Sequence, residues 1–311
     1  MRLCPIAADQ SRLHSYSDLL DDLVMNSVGT IAQILRYPVK SMLGEELQSV
    51  AVQPAGLVGD RICALLDRET GRVATAKRPH RWRAMLALRA SYRDGPDGRN
   101  VDIIMPDGTR VSGRDEQTAR ALSTFLKREV SVEFARPQGL ELERSNPDEV
   151  ADRGVDAATG LAVIPVGMAA PEGGFFDYAP IHFIATSSLD SVATVAAAVV
   201  AEPVRFRPNF VIATPAQIPF VENDWVDGTL QIGPEVLLEV LLPTPRCAVP
   251  TLAHGTTSPD PQLTRKIGAL NTVPVLDMGP LACLGAYARV LRGGAVAMGD
   301  SVWWHARSSN E

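Results

Sequence analysis

Short apolar stretches closed off by turn residues, with few helical repeats between them, constrain this chain more than any single motif. Residues 30–38, Thr-Ile-Ala-Gln-Ile-Leu-Arg-Tyr-Pro, alternate partly and read as a strand. A second strand over 47–52 stops at Pro54-Ala55-Gly56. Residues 60–66, the turn Asp67-Arg68-Glu69-Thr70-Gly71 and residues 73–75 then read as a β-hairpin. Two further strand pairs follow, over 85–92 and across Pro106-Asp107-Gly108. One amphipathic helix over 115–127 sets Ala119, Leu122 and Leu126 on one face.

Residues 136–160 are polar and carry Pro137, Gly139, Pro147 and Gly154, the make-up of an interdomain loop. A strand is predicted again at 182–185, followed by Thr186-Ser187-Ser188 as a helix start whose hydroxyls cap the exposed N–H groups. Strands over 209–213, 230–232 and 236–242, a helix over 261–270 and a hairpin turning at Arg292-Gly293-Gly294 complete the pattern. Helices do not alternate with strands, so a doubly wound sheet is excluded and β-barrel units are favoured. The fold class is therefore mainly β (α+β). A β-barrel-like domain is expected over 26–137, and a second β-barrel domain with a few helices over 138–307. Residues 1–25 include Asp9, Asp18, Asp21 and Asp22 and lack an apolar signal core. They read as a disordered tail, or as residues ahead of a natural start near Met25.

Bulk properties exclude several classes. A formal net charge of −6 argues against non-specific nucleic-acid binding. No uninterrupted apolar run reaches the length of a membrane span. The four cysteines (Cys4, Cys63, Cys247 and Cys283) are scattered without a C-x-x-C pair, so neither a zinc site nor a disulfide framework is implied. A reduced, cytoplasmic compartment fits. The nucleophile-elbow, dinucleotide and P-loop signatures are all missing from the sequence.

What remains is one exposed-loop thiol and several sets of anion-binding side chains. Cys247 follows a predicted strand end, in a loop bounded by Pro243, Pro245 and Pro250, with Arg246 beside it. A lone cysteine is most often an inert core residue, as Cys63 and Cys283 read here. A neighbouring guanidinium, however, favours the thiolate, the form that binds a soft metal or attacks an electrophile. Lys40 and Ser41 leave a strand after Tyr37-Pro38-Val39, in a chain that has only four lysines among its 30 basic residues. Their ordinary reading is a solvated turn, and their functional one a charge and hydroxyl aimed at a phosphate. Arg61 follows Gly59-Asp60, and Arg205, Arg207 and Asn209 precede a strand. Structural ion pairs compete there with an arginine fork on a phosphate or heterocycle edge. Ser188 at a helix start is an ordinary cap that also suits an anion. The run Lys77-Arg78-Pro79-His80-Arg81-Trp82-Arg83 is the most basic stretch, a solvated loop or the rim of an anionic site or docking face.

Taken together, Tyr37-Pro38-Val39-Lys40-Ser41, Gly59-Asp60-Arg61, Arg207-Pro208-Asn209, Arg246-Cys247 and Gly299-Asp300 resemble the MOSC family (the molybdenum-cofactor sulfurase C-terminal domain) with its N-terminal β-barrel partner. Within it the chain looks most like the mitochondrial amidoxime-reducing component and its bacterial relatives, over residues 30–304. The resemblance implies a molybdenum–molybdopterin cofactor between two domains, with Cys247 as metal ligand and catalytic residue. Lys40, Ser41, Arg61, Ser188, Arg207, Asn209 and Arg246 would hold the cofactor. The implied activity is reduction of small N-hydroxylated compounds: amidoximes, hydroxylamines and N-hydroxylated bases. Electrons would come from a separate ferredoxin-, flavin- or cytochrome-type protein, since no cysteine-rich electron-transfer segment follows Trp304. Pyridoxal phosphate binding comes with the resemblance only as a family-level term. One departure stands out: relatives commonly carry an acidic residue a few positions beyond the cysteine, where this chain has Leu252-Ala253-His254. His254 is the candidate substitute. A cofactor-binding or sulfur-carrying protein without turnover stays open as the alternative, as does a thiol-reactive protein without molybdenum.

Overall fold

The computed structural model describes residues 26–307 apart from 94, 96–99, 114–115, 197–201 and 215–217, so the expectation for residues 1–25 lies outside the described residues. Seven strands close a barrel. They are β1 (Asn26–Arg36), β2 (Ile181–Ala185), β3 (Phe210–Ala213), β4 (Thr229–Ile232), β5 (Val236–Pro245), β6 (Pro280–Arg292) and β7 (Ser301–His305). Around the barrel the order is β2-β3-β1-β7-β4-β5-β6, and β6 pairs back onto β2 through His182↔Tyr287. All these pairings are antiparallel except β2 with β3.

Alternation along each strand sorts the side chains. On β2 and β3, Ile181, Phe183, Phe210 and Ile212 enter the barrel core with Ile31, Leu230, Val240 and Val302. The intervening Ile184 and Val211 point outward to Leu189, Val192, Leu263 and Ile267. Those four residues are the apolar stripes of two helices, α3 (Thr186–Val195) and α4 (Leu263–Leu270), which cover the outside of the barrel.

A second core gathers Val39, Met42, Cys63, Leu65, Trp82, Met85, Val101, Ile103, Leu122 and Val130. It lies under the sheet Arg89–Tyr92, Val101–Ile104 and Arg110–Ser112, the pair Ala64–Asp67 with Val130–Glu133, and helix α1 (Glu116–Leu126). The helix and the Pro106-Asp107-Gly108 hairpin match their sequence signals. Residues 85–87, expected within a strand, belong to a 3₁₀ turn over Arg83–Ala87 instead.

Three further expectations are corrected. The Asp67 turn forms, with its side chain accepting from Glu69 N–H and Thr70 Oγ1, but the returning strand shrinks to a single Leu66↔Val73 bridge. Ala64–Asp67 takes Val130–Glu133 as its partner, because Thr75 and Ala76 bend away to meet Ser41. The polar stretch 136–160 is not a loop. Glu141–Ser145 pairs with Leu161–Pro165, and between them α2 (Pro147–Arg153) is capped by Asn146, whose side chain accepts from the N–H groups of Asp148 and Glu149. Its charges concealed a strand: Leu142 faces inward while Glu143 pairs with Arg72 and Arg78. Finally, Gly293 and Gly294 do not turn a hairpin. Gly294–Ala297 crosses to Ser49–Gln53, and the crossing is so close that a Cβ on Gly293 would lie 2.4 Å from the Val52 carbonyl oxygen.

Candidate active site

The exit of β1, the Asp60 turn, the start of β3 and the end of β5 converge on one polar pocket. Lys40, Ser41, Arg61, Arg207, Asn209, Arg246 and Cys247 all line it. The scaffold behind them is a buried hydrogen-bond network. Asp60 accepts from Tyr37 N–H (2.7 Å), from Asn209 Nδ2 (3.0 Å) and from Arg61 Nη1. Asn209 Nδ2 also reaches the Leu35 carbonyl, and its Oδ1 accepts from His182 N–H at 3.1 Å. Three chain segments distant in sequence are thereby fixed to one side-chain amide.

Backbone conformation marks the same place. Ser41 (φ 63°), Arg61 (φ 50°) and Arg207 (φ 58°) are non-glycine residues in the left-handed region, and all three line the pocket. Such conformations cost on the order of 1 kcal/mol each and persist where the surroundings impose them. Here they turn side chains inward. Arg61 Nη2 donates to the Arg207 carbonyl (3.0 Å) and Arg207 Nη1 to the Met42 carbonyl (2.5 Å). The two guanidiniums flank the Tyr37 ring at 5.0 and 4.3 Å from its centroid. Burial, reinforced by Arg61, lowers the Arg207 pKa to about 10.

At the thiol end, Arg246 donates to the carbonyls of Phe206 (3.0 Å) and Leu284 (3.3 Å), with His182 Nε2 at 3.4 Å. His182 Nδ1 lies 3.3 Å from the Arg207 carbonyl, so Nδ1 carries the proton and Nε2 accepts. Burial, with Arg246 adding to it, pushes the His182 pKa well below the usual histidine range, and the ring is neutral. Among the described cysteines, Cys247 is partly exposed while Cys63 and Cys283 are buried. The Cys247 loop is stapled by Arg205. This fully buried side chain donates to the carbonyls of Pro250 (3.1 Å), Leu252 (3.1 Å) and Ser258.

Sequence reasoning missed several wall residues. Lys77, counted within the basic run, turns into the pocket, and the rest of the run is paired: Arg78 with Glu143, Arg81 with Asp67, Arg83 with Asp156. The rarity of lysine was the available signal. Asp177, His182, Thr244 and Tyr287 also line the pocket, with no local motif to announce them. Ser188 is not on the wall, and neither it nor its neighbours cap α3 through their side chains. Fully buried, it donates to Glu222 Oε2 (2.6 Å) and accepts from Phe220 N–H. Glu222 in turn accepts from Gly285 N–H, on the strand that carries Tyr287. His254 also stands off the wall, with Nδ1 2.9 Å from the Leu252 carbonyl and burial lowering its pKa to about 4.

The lining holds six cationic side chains (Lys40, Lys77, Arg61, Arg205, Arg207, Arg246) against one carboxylate, Asp177, in a chain of net charge −6. Four buried atoms of wall residues, Arg205 Nε, Arg207 Nη2, Thr244 Oγ1 and Arg246 Nε, have no hydrogen-bond partner. Buried donors in that condition are costly unless a ligand completes them. No cluster of three His, Cys, Asp or Glu side chains among the described residues could hold a metal alone. The donor set therefore fits an anionic group that brings its own metal ligands and takes one thiolate from the protein.

Residues 171–303 match the MOSC domain, and residues 28–141 match the MOSC N-terminal beta barrel domain. Among solved structures the chain is similar to the YuaD protein from Bacillus subtilis, at 10% identity and a TM-score of 0.41, over 92% of this chain and 100% of that one. It is also similar to YiiM from Geobacillus stearothermophilus, at 15% identity and a TM-score of 0.32, over 42% of this chain and 56% of that one. No curated protein matches the sequence. Pyridoxal phosphate finds no support in either domain match. No helix among the described residues is long and apolar enough to cross a membrane.

Proposed function

Because the chain belongs to the MOSC family, with the MOSC N-terminal beta barrel domain ahead of the MOSC domain, we propose that it holds a molybdenum cofactor in the Cys247 pocket and reduces small N-hydroxylated compounds. Amidoximes, hydroxylamines and N-hydroxylated bases are the substrate class, and a separate ferredoxin-, flavin- or cytochrome-type protein is the electron donor. The observation that carries this reading is the joining of one accessible thiol to an excess of buried cations with unfilled donors. Reduced cytoplasm suits the three described cysteines, none of which is in a disulfide.

When bound, the cofactor supplies two-electron reduction at molybdenum, which removes the substrate oxygen as water. Cys247 is the protein's ligand to the metal and, in this reading, its catalytic residue. Lys40, Ser41, Arg61 and Lys77 take the phosphate end, where ammonium and guanidinium groups offset its charge. Arg207 and Asn209 take the pterin, the arginine with a free Nη2 and the amide with its orientation set by Asp60. Arg246, held by His182 and two carbonyls, keeps a fixed positive charge beside the thiolate. Ser188 acts from behind the wall, through Glu222 on the Gly285 backbone.

Cofactor binding or sulfur carriage without turnover is the second reading. One observation favours it: Asp177, the single carboxylate of the wall, is already committed to two lysines, and the exposed Ala253 stands where an acid is expected just beyond Cys247. Molybdenum content per chain, after expression in a host that makes the cofactor, tests both. Near-stoichiometric metal in the wild type and its loss in Cys247→Ala support the site. Oxidation of a reduced viologen dye on adding benzamidoxime then separates the reductase from the carrier, which gives no substrate-dependent rate. No molybdenum in the wild type, beside a metal-replete control enzyme from the same host, overturns both.

A further inference from the structure

Two buried ammonium groups in this pocket share one carboxylate. Lys40 Nζ lies 2.6 Å from Asp177 Oδ1, and Lys77 Nζ lies 3.1 Å from Asp177 Oδ2. The lysine side chains are 5% and 11% exposed, while that of Asp177 is 36% exposed. The acid is therefore the most accessible of the three, and the least held by its surroundings. Burial alone would raise the Asp177 pKa, but the ammoniums, Lys40 foremost, outweigh it and hold the group well below the usual carboxylate range. Its negative charge is thus permanent at neutral pH.

The segment that carries Asp177 is anchored just before it. Phe175 N–H donates to the Arg61 carbonyl (2.7 Å), Phe175 O accepts from Lys40 Nζ (2.7 Å), and the rings of Phe175 and Phe176 are buried. Lys40 therefore keeps one backbone acceptor whatever Asp177 does. A change of side-chain rotamer is enough to remove the carboxylate, with no opening of the chain.

Charge accounting decides what that arrangement is for. Two neighbouring buried cations without a counter-ion would repel each other and pay desolvation uncompensated. With Asp177 between them they are satisfied, but a phosphate arriving at the same lysines meets a fixed carboxylate and is repelled. Both states are satisfied only if the two anions exchange. We propose that Asp177 is a stand-in anion: it occupies the Lys40–Lys77 site in the ligand-free protein and yields that site to the phosphate of the incoming cofactor. The proposal rests on the reading of this pocket as the seat of an anionic cofactor. Loading is then an anion exchange, whose affinity is reduced by the strength of the internal contact.

The test uses the cofactor-free full chain and inorganic pyrophosphate as probe, titrated by isothermal calorimetry, with circular dichroism to verify each fold. Asp177→Asn keeps the size and removes the charge, and should tighten pyrophosphate binding by about tenfold, the order set by losing one charged, hydrogen-bonded competitor. Asp177→Glu keeps the charge and should bind no tighter than the wild type. Lys40→Met should abolish the binding that Asp177→Asn enhances, which assigns it to this pocket. Equal or weaker binding in Asp177→Asn, or equal tightening by Asn and Glu, overturns the proposal. If Asp177→Asn does not fold, Asp177→Ser gives the same comparison against Glu. Molybdenum content of the wild type is scored separately, so failure of the exchange and failure of the cofactor reading are distinguishable.

Discussion

Replacing Arg205 by methionine tests how the thiol loop is held. The side chain is fully buried and donates to three carbonyls on the far side of Cys247. Methionine matches its length and apolar stem but supplies no donor. Ser258 is exposed and can turn its carbonyl to water, whereas Pro250 and Leu252 are buried. Two buried carbonyls left without a charged donor cost about 1–3 kcal/mol each, from which the relief of no longer burying a cation is subtracted. The expected destabilisation is about 2–3 kcal/mol, read as a lower urea midpoint at constant slope. Because the loss is local, it should ease opening of the 247–258 loop by the same free energy. Reaction of Cys247, already partly exposed, with an aromatic disulfide reagent then accelerates by at most about 30- to 140-fold. Buried Cys63 and Cys283 are internal controls that react only on wider unfolding. Arg205→Lys, which reaches fewer of the carbonyls, should fall between. Destabilisation below about 1 kcal/mol together with an unchanged thiol rate would refute the stapling role.

Further outcomes follow from the same geometry. Burial lowers the Lys40 pKa to about 8. Pyrophosphate affinity should therefore weaken as pH rises through 8, by calorimetry. The folded chain sheds that proton before the unfolded one does, so this group's contribution to stability rises from pH 8 towards 10.5, the opposite direction. Burial holds His254 at a pKa of about 4, so it opposes folding as pH falls from 6.5 to 4. His254→Gln should flatten that part of the stability profile, by thermal melts at successive pH values, and leave any dye-oxidation profile between pH 6 and 8 unchanged, since the ring is neutral there. Ser41→Gly relieves a φ of 63° but loses the bond from Ala76 N–H. The two effects are each about 1 kcal/mol, so stability should change by less than that while pyrophosphate binding weakens.

The legible parts of this molecule are those with local causes. Helix α1 and the Pro106-Asp107-Gly108 hairpin follow from periodicity and turn chemistry within a dozen residues. The hidden parts have distant causes. Glu141–Ser145 carries charges that disguise it, since Glu143 is neutralised by arginines some seventy positions upstream. Gly293-Gly294 is a turn signal by composition, but the glycines serve a close crossing over Val52. In the site, Lys40, Ser41, Arg207 and Cys247 were legible because their neighbours form short recognisable strings. Asp177, His182 and Tyr287 reach the pocket only through strand pairing and a strap, which no local pattern encodes. Ser188 shows the reverse: a plausible anion-binding position by sequence, it spends both hydrogen bonds on the 220–222 segment.

Strand β1 sits between β3 and β7, through registers such as Ile34↔Phe210 and Thr30↔Ser301. As the chain is synthesised, β1 emerges among the first described residues, Glu45–Leu47 follows and pairs with its end, and β3 and β7 emerge in the last third. Until then it carries Ile31 and Ile34, which end up fully buried, on a strand paired only along one edge and only over Ile34–Arg36. The barrel cannot close during elongation, and the Cys247 loop cannot be set until it does. Ligand capture in the Cys247 pocket is consequently an event of the finished polypeptide, and an exposed β1 is the form of this protein most open to chaperones and to aggregation.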